Sequence, residues 1–577
     1  MLLLKAGFTI KSIEMMNPNP DTIVIFVFSA FVLCIGLIFS RTGINLKSFF
    51  AGGESVPWVI GGLSLFMSFF SAGTFVAWGS IAYKYGWVAI TIQWTMCIGA
   101  IVSGMYLAPL WKSTGNLTAA EFIKERLGLR VQKAYIYIFM LVSLFIKGTV
   151  LYPVAKLVSG SLGYPIIPST IFLGIFMIAY TAVGGLWAVM VTDILQFVIL
   201  TAAVLIILPL AFDATGGLAQ FQAKADAHFF DLLNGEFTFG FILAFTLYHI
   251  FFIGGNWTFV QRYTSVKDSK SARKVAFLFA ALYLISPVLW MLPPMIYKTI
   301  NPALTGLDAE NAYLMICKLV LPPGLLGLML TGMYFSTSAS ANTTLNVVSA
   351  VFTNDIYKGR INPGASDRKL MQVARLSSWT IGIGMIIIAI LVPYIGGLVN
   401  VTISVGAITG GPILAPPIWA LFSKRLNGKA TLIITCISLG INLFFKILLP
   451  FLTDISLSRA EEMLVGVGVP FVLLIANELY AKSRNYISPQ YLEFQELKNT
   501  RIEEKANLSM EERSESLKQN KFGLKITAFA LAFTAFLLVV LALITNQNIP
   551  LLASIAGLIF LLAFIPLIAS NRIQTDS

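Results

Sequence analysis

Eight of the eleven residues from Ser336 to Asn346 carry a hydroxyl or an amide, within a run otherwise apolar enough to cross a bilayer. Ser336, Ser340 and Thr343 recur at helical spacing on one face and offer hard oxygen ligands to an alkali cation. The plainer reading is small-residue helix packing with interhelical hydrogen bonds. Asp193 lies about six residues into another apolar run. A carboxylate there either draws a cation toward the cytoplasm or pairs with a lysine or a helix terminus. Lys147, in the middle of a third run, neutralises Asp193, contacts an anionic substrate or lines a watery vestibule, whereas Lys156 snorkels to the interface. Gln93-Trp94 and Asn256-Trp257 combine hydrogen-bonding and stacking groups suited to a polar organic solute, although either Trp serves equally as an anchor. His228 and His249 are isolated, the four cysteines lack metal-ligand spacing, and no Gly-Lys-Ser/Thr phosphate loop occurs. A catalytic metal and direct ATP drive therefore have no support.

These groups must be positioned by membrane-spanning helices. The chain has 577 residues, 57% hydrophobic and only 12% charged, with a mean hydropathy of +0.82, too little charge to cover a soluble fold of this length. A soluble enzyme is excluded. The net charge of +13 is dispersed in short clusters between apolar runs, so it reports membrane orientation and not nucleic-acid binding. Fifteen runs have about the 20 residues needed to cross about 30 Å of hydrocarbon. With the N-terminus outside, 29 of the 40 Lys and Arg residues fall on the cytoplasmic side, which satisfies the positive-inside rule and places the C-terminus in the cytoplasm. The expectation is an integral plasma (inner) membrane protein. The first twenty residues have neither the charge pattern nor the length of a cleaved signal, and translation could begin at Met15 or Met16.

Two of the runs are interrupted near their middles. One reads Gly61-Gly-Leu-Ser-Leu-Phe-Met-Ser-Phe-Phe-Ser71-Ala-Gly-Thr74, the other Phe251-Phe-Ile-Gly-Gly-Asn256-Trp257-Thr258. Unwound backbone in hydrocarbon costs several kcal/mol for each unsatisfied group unless it lines a polar cavity. Each interrupted run opens a set of five consecutive spans, and matched breaks of this kind point to an inverted-repeat transporter with its site at the breaks. Glycines that merely permit close helix packing are the bland alternative.

The motifs Gly184-Gly-Leu-Trp-Ala-Val-Met-Val-Thr-Asp193-Ile-Leu-Gln196, Val260-Gln-Arg-Tyr263, Phe352-Thr-Asn-Asp-Ile-Tyr-Lys358 and Leu414-Ala-Pro-Pro417 resemble those of the sodium:solute symporter family. That family includes sodium/glucose, sodium/proline and sialic acid cotransporters. The resemblance implies an all-α polytopic membrane protein with the leucine-transporter fold, two inverted five-helix repeats and about 15 transmembrane helices. It implies a sodium site built from backbone carbonyls near Met67 and Phe70 with Ser336, Ala339 and Ser340. Ala339 departs from the two adjacent hydroxyl residues usual in glucose-transporter-like members, which removes one side-chain ligand. A second sodium, or an ion path, would involve Asp193, Asn342 and Thr343. Gln93 and Asn256 match sugar-contacting positions, while Thr74 and Thr409 stand where sugar-binding residues would be expected; Ser71 and Trp257 complete the expected substrate set.

The expected organisation is a first peripheral helix within residues 1–56, five-helix repeats at 57–211 and 238–422 joined by an outer loop at 212–237, and peripheral helices at 423–481. A charged cytoplasmic connector at 482–522 and a C-terminal hairpin and tail at 523–577 complete it. The expected function is sodium-coupled uptake of a small polar organic solute, sugar-like by slight preference, by alternating access. Sodium is the coupling ion, and no other cofactor and no nucleic acid is expected. The competing readings are a proton-coupled or uncoupled carrier and a transporter-like sensor; an enzyme is disfavoured because no acid, base and nucleophile group faces one cavity.

Overall fold

A computed structural model describes residues 20–40, 56–180, 186–453, 455–506 and 510–573. The described residues are almost wholly helical, with two isolated β-bridges as the remaining regular structure. A first helix, α1 (Pro20–Ser40), precedes a bent pair formed by α2 (Trp58–Phe69) and α3 (Thr74–Tyr85), whose axes differ by 63°. Then come α4 (Val88–Ser113), the short α5 (Ala119–Leu127), α6 (Leu129–Leu162), α7 (Ile166–Tyr180) and α8 (Leu186–Thr215). A second bent pair, α9 (Phe239–Gly255) and α10 (Trp257–Thr264), turns by 52°. It opens a second set comprising α11 (Ser269–Ile300), α12 (Ala312–Val320), α13 (Leu325–Val351), α14 (Asp367–Leu391) and α15 (Gly397–Phe422). Five more follow: α16 (Gly428–Leu443), α17 (Arg459–Ser483), α18 (Pro489–Ala506) and the pair α19 (Met510–Thr545) and α20 (Ile549–Asn571).

Among the described residues, ten helices are long and apolar enough to cross a bilayer, or twelve when each bent pair is one span. That is fewer than the fifteen expected. Two expected spans, at α1 and α7, are not among the twelve; their described residues give the shorter apolar stretches Pro20–Val32 and Ile166–Ile178. The third is α13, the helix with the hydroxyl-rich stretch.

Each bend has a local cause. Phe70 leaves the helix with an extended backbone (φ −73°, ψ 136°) and its N–H bonds the Met67 carbonyl at 3.1 Å. The exposed amides beyond it find side chains: Gly73 N–H donates to the Ser71 hydroxyl at 3.2 Å and Ala72 N–H to the Thr337 hydroxyl at 3.1 Å. At the second bend Asn256 is extended, and its side-chain oxygen caps α10 by accepting from Thr258 N–H at 3.0 Å. The carbonyls left at the end of α9 accept from Trp111 Nε1 (Gly254, 2.6 Å) and from the Tyr263 hydroxyl (Ile253, 3.1 Å). The glycines also permit close approach, since a Cβ on Gly254 would lie 2.1 Å from Leu107 Cδ1. Both readings of the double glycine hold together: the helix breaks there and packs tightly there.

The accessory segments are tied to this bundle. The Asp21 carboxylate accepts the backbone N–H groups of Gly324 and Gly327, both at 2.8 Å, so α1 caps the start of α13 with negative charge. Helices α19 and α20 pack against each other and α19 lies on α8. Arg501 of α18 bridges Glu121 and Glu125 of α5, and Phe494 packs edge-on against Phe122. Arg126, on the same short helix, is fully buried and donates to the carbonyls of Ser423 and Leu426 beyond α15.

These two arginines differ in burial and therefore in worth. Arg126→Ala is expected to cost about 3 kcal/mol, because it strands two buried carbonyls that now accept from a charged donor. Arg501→Ala, with a side chain 24% exposed, should cost under about 1 kcal/mol. Thermal unfolding of the purified variants in detergent checks the order.

Candidate functional site

Both bends open on one cavity of about 210 Å³. Its wall draws Ser71, Gly73 and Thr74 from the first break, Asn256 and Thr258 from the second, Lys147 from α6 and Thr409 from α15. Apolar surface from Phe69, Phe139, Phe252 and Leu414 fills most of the remainder. The cavity is thus bounded by four elements of the two five-helix sets, and the two discontinuities supply its polar floor.

Of the residues expected at the substrate, Ser71, Thr74, Asn256 and Thr409 line this cavity together. Gln93 and Trp257 are not among its lining residues. Gln93 is buried on α4 with its amide directed at the Ala89 carbonyl of its own helix (3.5 Å). Trp257 stacks on Phe139 with ring centroids 4.5 Å apart and planes 10° from parallel.

At the first break two of the residues expected at sodium, Phe70 and Ser336, come together. The Ser336 hydroxyl of α13 donates to the Phe70 carbonyl at 2.9 Å, beside the Met67 carbonyl that accepts the Phe70 N–H. Next to it, Thr337 accepts from Ala72 N–H while donating to Met333 O at 2.8 Å. The backbone of Ala339, Ser340, Asn342 and Thr343 continues α13; their side chains lie outside the described residues.

Asp193 sits deeper, buried on α8, with a carboxylate oxygen accepting from the Ser64 hydroxyl of α2 at 2.6 Å. The same hydroxyl accepts from Arg262 Nε at 3.1 Å, and Arg262 Nη2 lies 3.8 Å from the carboxylate. An aspartate, a serine and an arginine from three helices thus join the halves of both bent pairs that carry Trp58 and Thr264. Lys112 reinforces that end by donating to the Thr264 carbonyl at 2.7 Å, where a helix C-terminus favours a cation.

At the opposite end Lys156, expected to snorkel, forms an ion pair with Glu310 at 2.6 Å. The Glu310 carboxylate also accepts from the Tyr152 hydroxyl (3.2 Å) and from the Leu398 N–H at the start of α15 (3.1 Å). His249 contacts the Thr95 hydroxyl at 2.6 Å and His228 pairs with Asp231 in the loop between α8 and α9. Among the described residues no group of three His, Cys, Asp or Glu side chains is placed to hold a metal.

Sequence reasoning assigned no role to Ser64, Thr337, Glu310 or Tyr248, the last of which lines the cavity. Arg262 was visible within the Val260-Gln-Arg-Tyr263 motif, but its partner at 69 residues' remove was not. The one available signal for Ser64 was its place among hydroxyl residues in an interrupted helix.

Residues 49–437 match the sodium:solute symporter family. The chain belongs to that family. Its members are transporters, not enzymes, and this member is an integral membrane protein of a sodium-coupled family. A sodium/glucose cotransporter of Vibrio parahaemolyticus is 26% identical over 486 residues, covering 77% of this chain and 89% of the relative. The human sodium/iodide cotransporter is 28% identical over 410 residues, covering 67% of this chain and 63% of the relative. In structure, the symporter resembles a sodium-coupled sialic acid symporter solved in a substrate-bound outward-open state. The TM-score is 0.66 at 21% sequence identity, over 82% of this chain and 99% of that one. The fold is therefore that of the leucine-transporter class, as the family resemblance implied.

The Asp193–Ser64–Arg262 cluster predicts a strong asymmetry between single and double variants. Arg262→Ala leaves a buried carboxylate without its countercharge and should cost about 3–5 kcal/mol. Adding Asp193→Asn should recover part of that loss, so the double variant unfolds at a higher temperature than Arg262→Ala alone. A thermal-unfolding double-mutant cycle in detergent measures the coupling.

Proposed function

We propose that the protein couples sodium entry to the uptake of one small polar organic solute, by alternating access around the cavity at the two breaks. The observation that carries this reading is the meeting of Ser336 with the Phe70 carbonyl at 2.9 Å, where the first bent helix unwinds. A cation held by the carbonyls of Met67 and Phe70 with Ser336, Ala339 and Ser340 ties α2 to α13, and the solute residues Ser71 and Thr74 follow within one turn of that point. Ion binding then orders the segment that forms the solute wall, and that shared segment is the coupling. Asp193, Asn342 and Thr343 form a second cation position or an ion path toward the cytoplasm.

The energetics suffice. One sodium crossing the full field gains about 2.3 kcal/mol per 100 mV, and a tenfold gradient adds about 1.4 kcal/mol. Together they support accumulation of several hundredfold for one solute per ion.

The distribution of basic residues supports an N-terminus outside and a C-terminus in the cytoplasm, so the Asp193–Ser64–Arg262 cluster closes the cytoplasmic end and Glu310 the outer end. With α1, α7 and α13 counted as crossing, the chain has fifteen spans, and residues 57–211 and 238–422 are the two repeats. A sugar-like solute draws on Gln93 and Asn256, of which Asn256 alone lines the cavity. Ala339 favours a second reading, a proton-coupled or uncoupled carrier, because it removes one hydroxyl from the cation site.

Sodium alone decides between these readings. Raising sodium in place of choline should stabilise the purified protein against heat. Ser336→Ala and Ser340→Ala should each raise the sodium needed by about tenfold, the worth of one lost ligand. Solute accumulation in proteoliposomes that persists when choline replaces sodium would remove sodium coupling. Unaltered sodium dependence in both Ser340→Ala and Asp193→Asn would remove those residues from the ion site.

A further inference from the structure

One face of α11 changes character along its length. Lys270, Arg273, Lys274, Phe277, Leu284 and Ile285 are all exposed, and separations of three, four and seven residues put them on one side of the helix. The stripe is cationic where the helix starts and apolar beyond. From Lys274 to Ile285 it runs about 16 Å at 1.5 Å per residue, about half of a 30 Å hydrocarbon layer. Its charged end lies beside the start of α2, since Val56 N–H donates to the Ser265 carbonyl at 3.2 Å. This is the end proposed to face the cytoplasm.

The stripe is bordered by a helix on each side. On one side is α2, which packs so closely that a Cβ on Gly62 would lie 2.6 Å from Leu278 Cδ2. Lys274 Nζ stands over the ring of Trp58 at the start of that helix, 5.5 Å from its centroid, and the ring is itself 37% exposed. An indole at the end of a spanning segment marks the headgroup level, and an ammonium held over it keeps its N–H donors for a further partner. On the other side is α4: a Cβ on Gly104 would lie 3.0 Å from the Phe277 ring, and Trp94 Nε1 donates to the Leu284 carbonyl at 3.0 Å.

The cations of the stripe differ from others at this end. Arg262 meets Asp193, Arg425 meets Glu478, and Arg501 meets Glu121 and Glu125. Among the described residues no carboxylate forms an ion pair with Lys270, Arg273 or Lys274. Asp268, close by in the chain, turns its carboxylate to the helix start and accepts Ser271 N–H at 2.7 Å. The positive-inside rule accounts for basic residues on this side, but not for three of them on one helical face in line with an apolar stripe. A free phosphate would engage the cations alone. A phospholipid engages both parts, with its phosphate at the cations and an acyl chain along Phe277, Leu284 and Ile285.

We propose that α11 holds an anionic phospholipid at the cytoplasmic edge of the bilayer, its headgroup bound by Lys270, Arg273 and Lys274 against Trp58 and its chain laid along the exposed face of the helix. Charge selects the lipid: a headgroup with net negative charge gains from all three cations, whereas the choline of a zwitterionic lipid is repelled by them. Each cation near a membrane surface is worth about a fivefold gain in affinity, so three together give about a hundredfold.

The test titrates the full chain in detergent with dioleoyl phosphatidylglycerol, dioleoyl phosphatidylcholine or inorganic phosphate, reading lipid adducts by native mass spectrometry and the unfolding temperature in parallel. Phosphatidylglycerol should be retained and should raise the unfolding temperature, and the other two should do neither. Neutralising the stripe with Lys270→Gln, Arg273→Gln and Lys274→Gln together should weaken phosphatidylglycerol by about a hundredfold, and each change alone by about fivefold. The exposed positions leave the fold intact, which the unfolding temperature without lipid checks. A control triple variant, Lys424→Gln with Lys429→Gln and Lys482→Gln, removes three exposed cations elsewhere at the same end and should bind phosphatidylglycerol as the parent does. Equal retention of the two lipids, undiminished phosphatidylglycerol binding in the stripe variant, or the same loss in the control would overturn the site. A full response to inorganic phosphate would overturn the lipid and leave a free-anion site.

Discussion

Backbone amides and carbonyls released where a helix unwinds cost several kcal/mol each in hydrocarbon unless something satisfies them, and this chain unwinds two helices inside its bundle. Several polar contacts of the core answer that constraint. Thr337 takes the Ala72 amide, Ser336 gives its proton to the Phe70 carbonyl, and Trp111 and Tyr263 serve the end of α9. The helices that provide these groups, α13 and α4, are thereby fixed against the bent pairs. The cavity is the space these pairings leave between them.

The two breaks were legible in the sequence because their signal is local: glycine, hydroxyl and amide residues where an apolar helix would carry leucine. Three cavity residues, Ser71, Thr74 and Asn256, stood at those breaks in the sequence, whereas Thr409, on the unbroken α15, was singled out only through the family resemblance. The Asp193–Ser64–Arg262 cluster was not, because Ser64 lies 129 residues from Asp193 and 198 from Arg262 in the chain and the three meet only when three helices pack. Gln93 illustrates the converse: a polar residue in an apolar run has the right chemistry, but the face it presents is set by packing against α9 and α11, which periodicity alone does not fix.

The cavity has polar groups at its floor and aromatic or aliphatic surface above, and its charge is carried by one lysine on α6. The Phe70 carbonyl and the Ala72 amide meet Ser336 and Thr337 of α13, while Ser71, Gly73 and Thr74 line the cavity. One unwound turn thus faces two ways.

Glu310 belongs to neither wall of the cavity. It sits on the turn Gly306–Asn311 between α11 and α12, yet its carboxylate is bonded at once to Tyr152 and Lys156 on α6 and to the Leu398 amide of α15. Helices α6 and α15 cannot separate at this end while that turn holds both. Parting them at this end requires the Glu310 carboxylate to release one helix or the other, so a single side chain on a connecting turn fastens two helices at once.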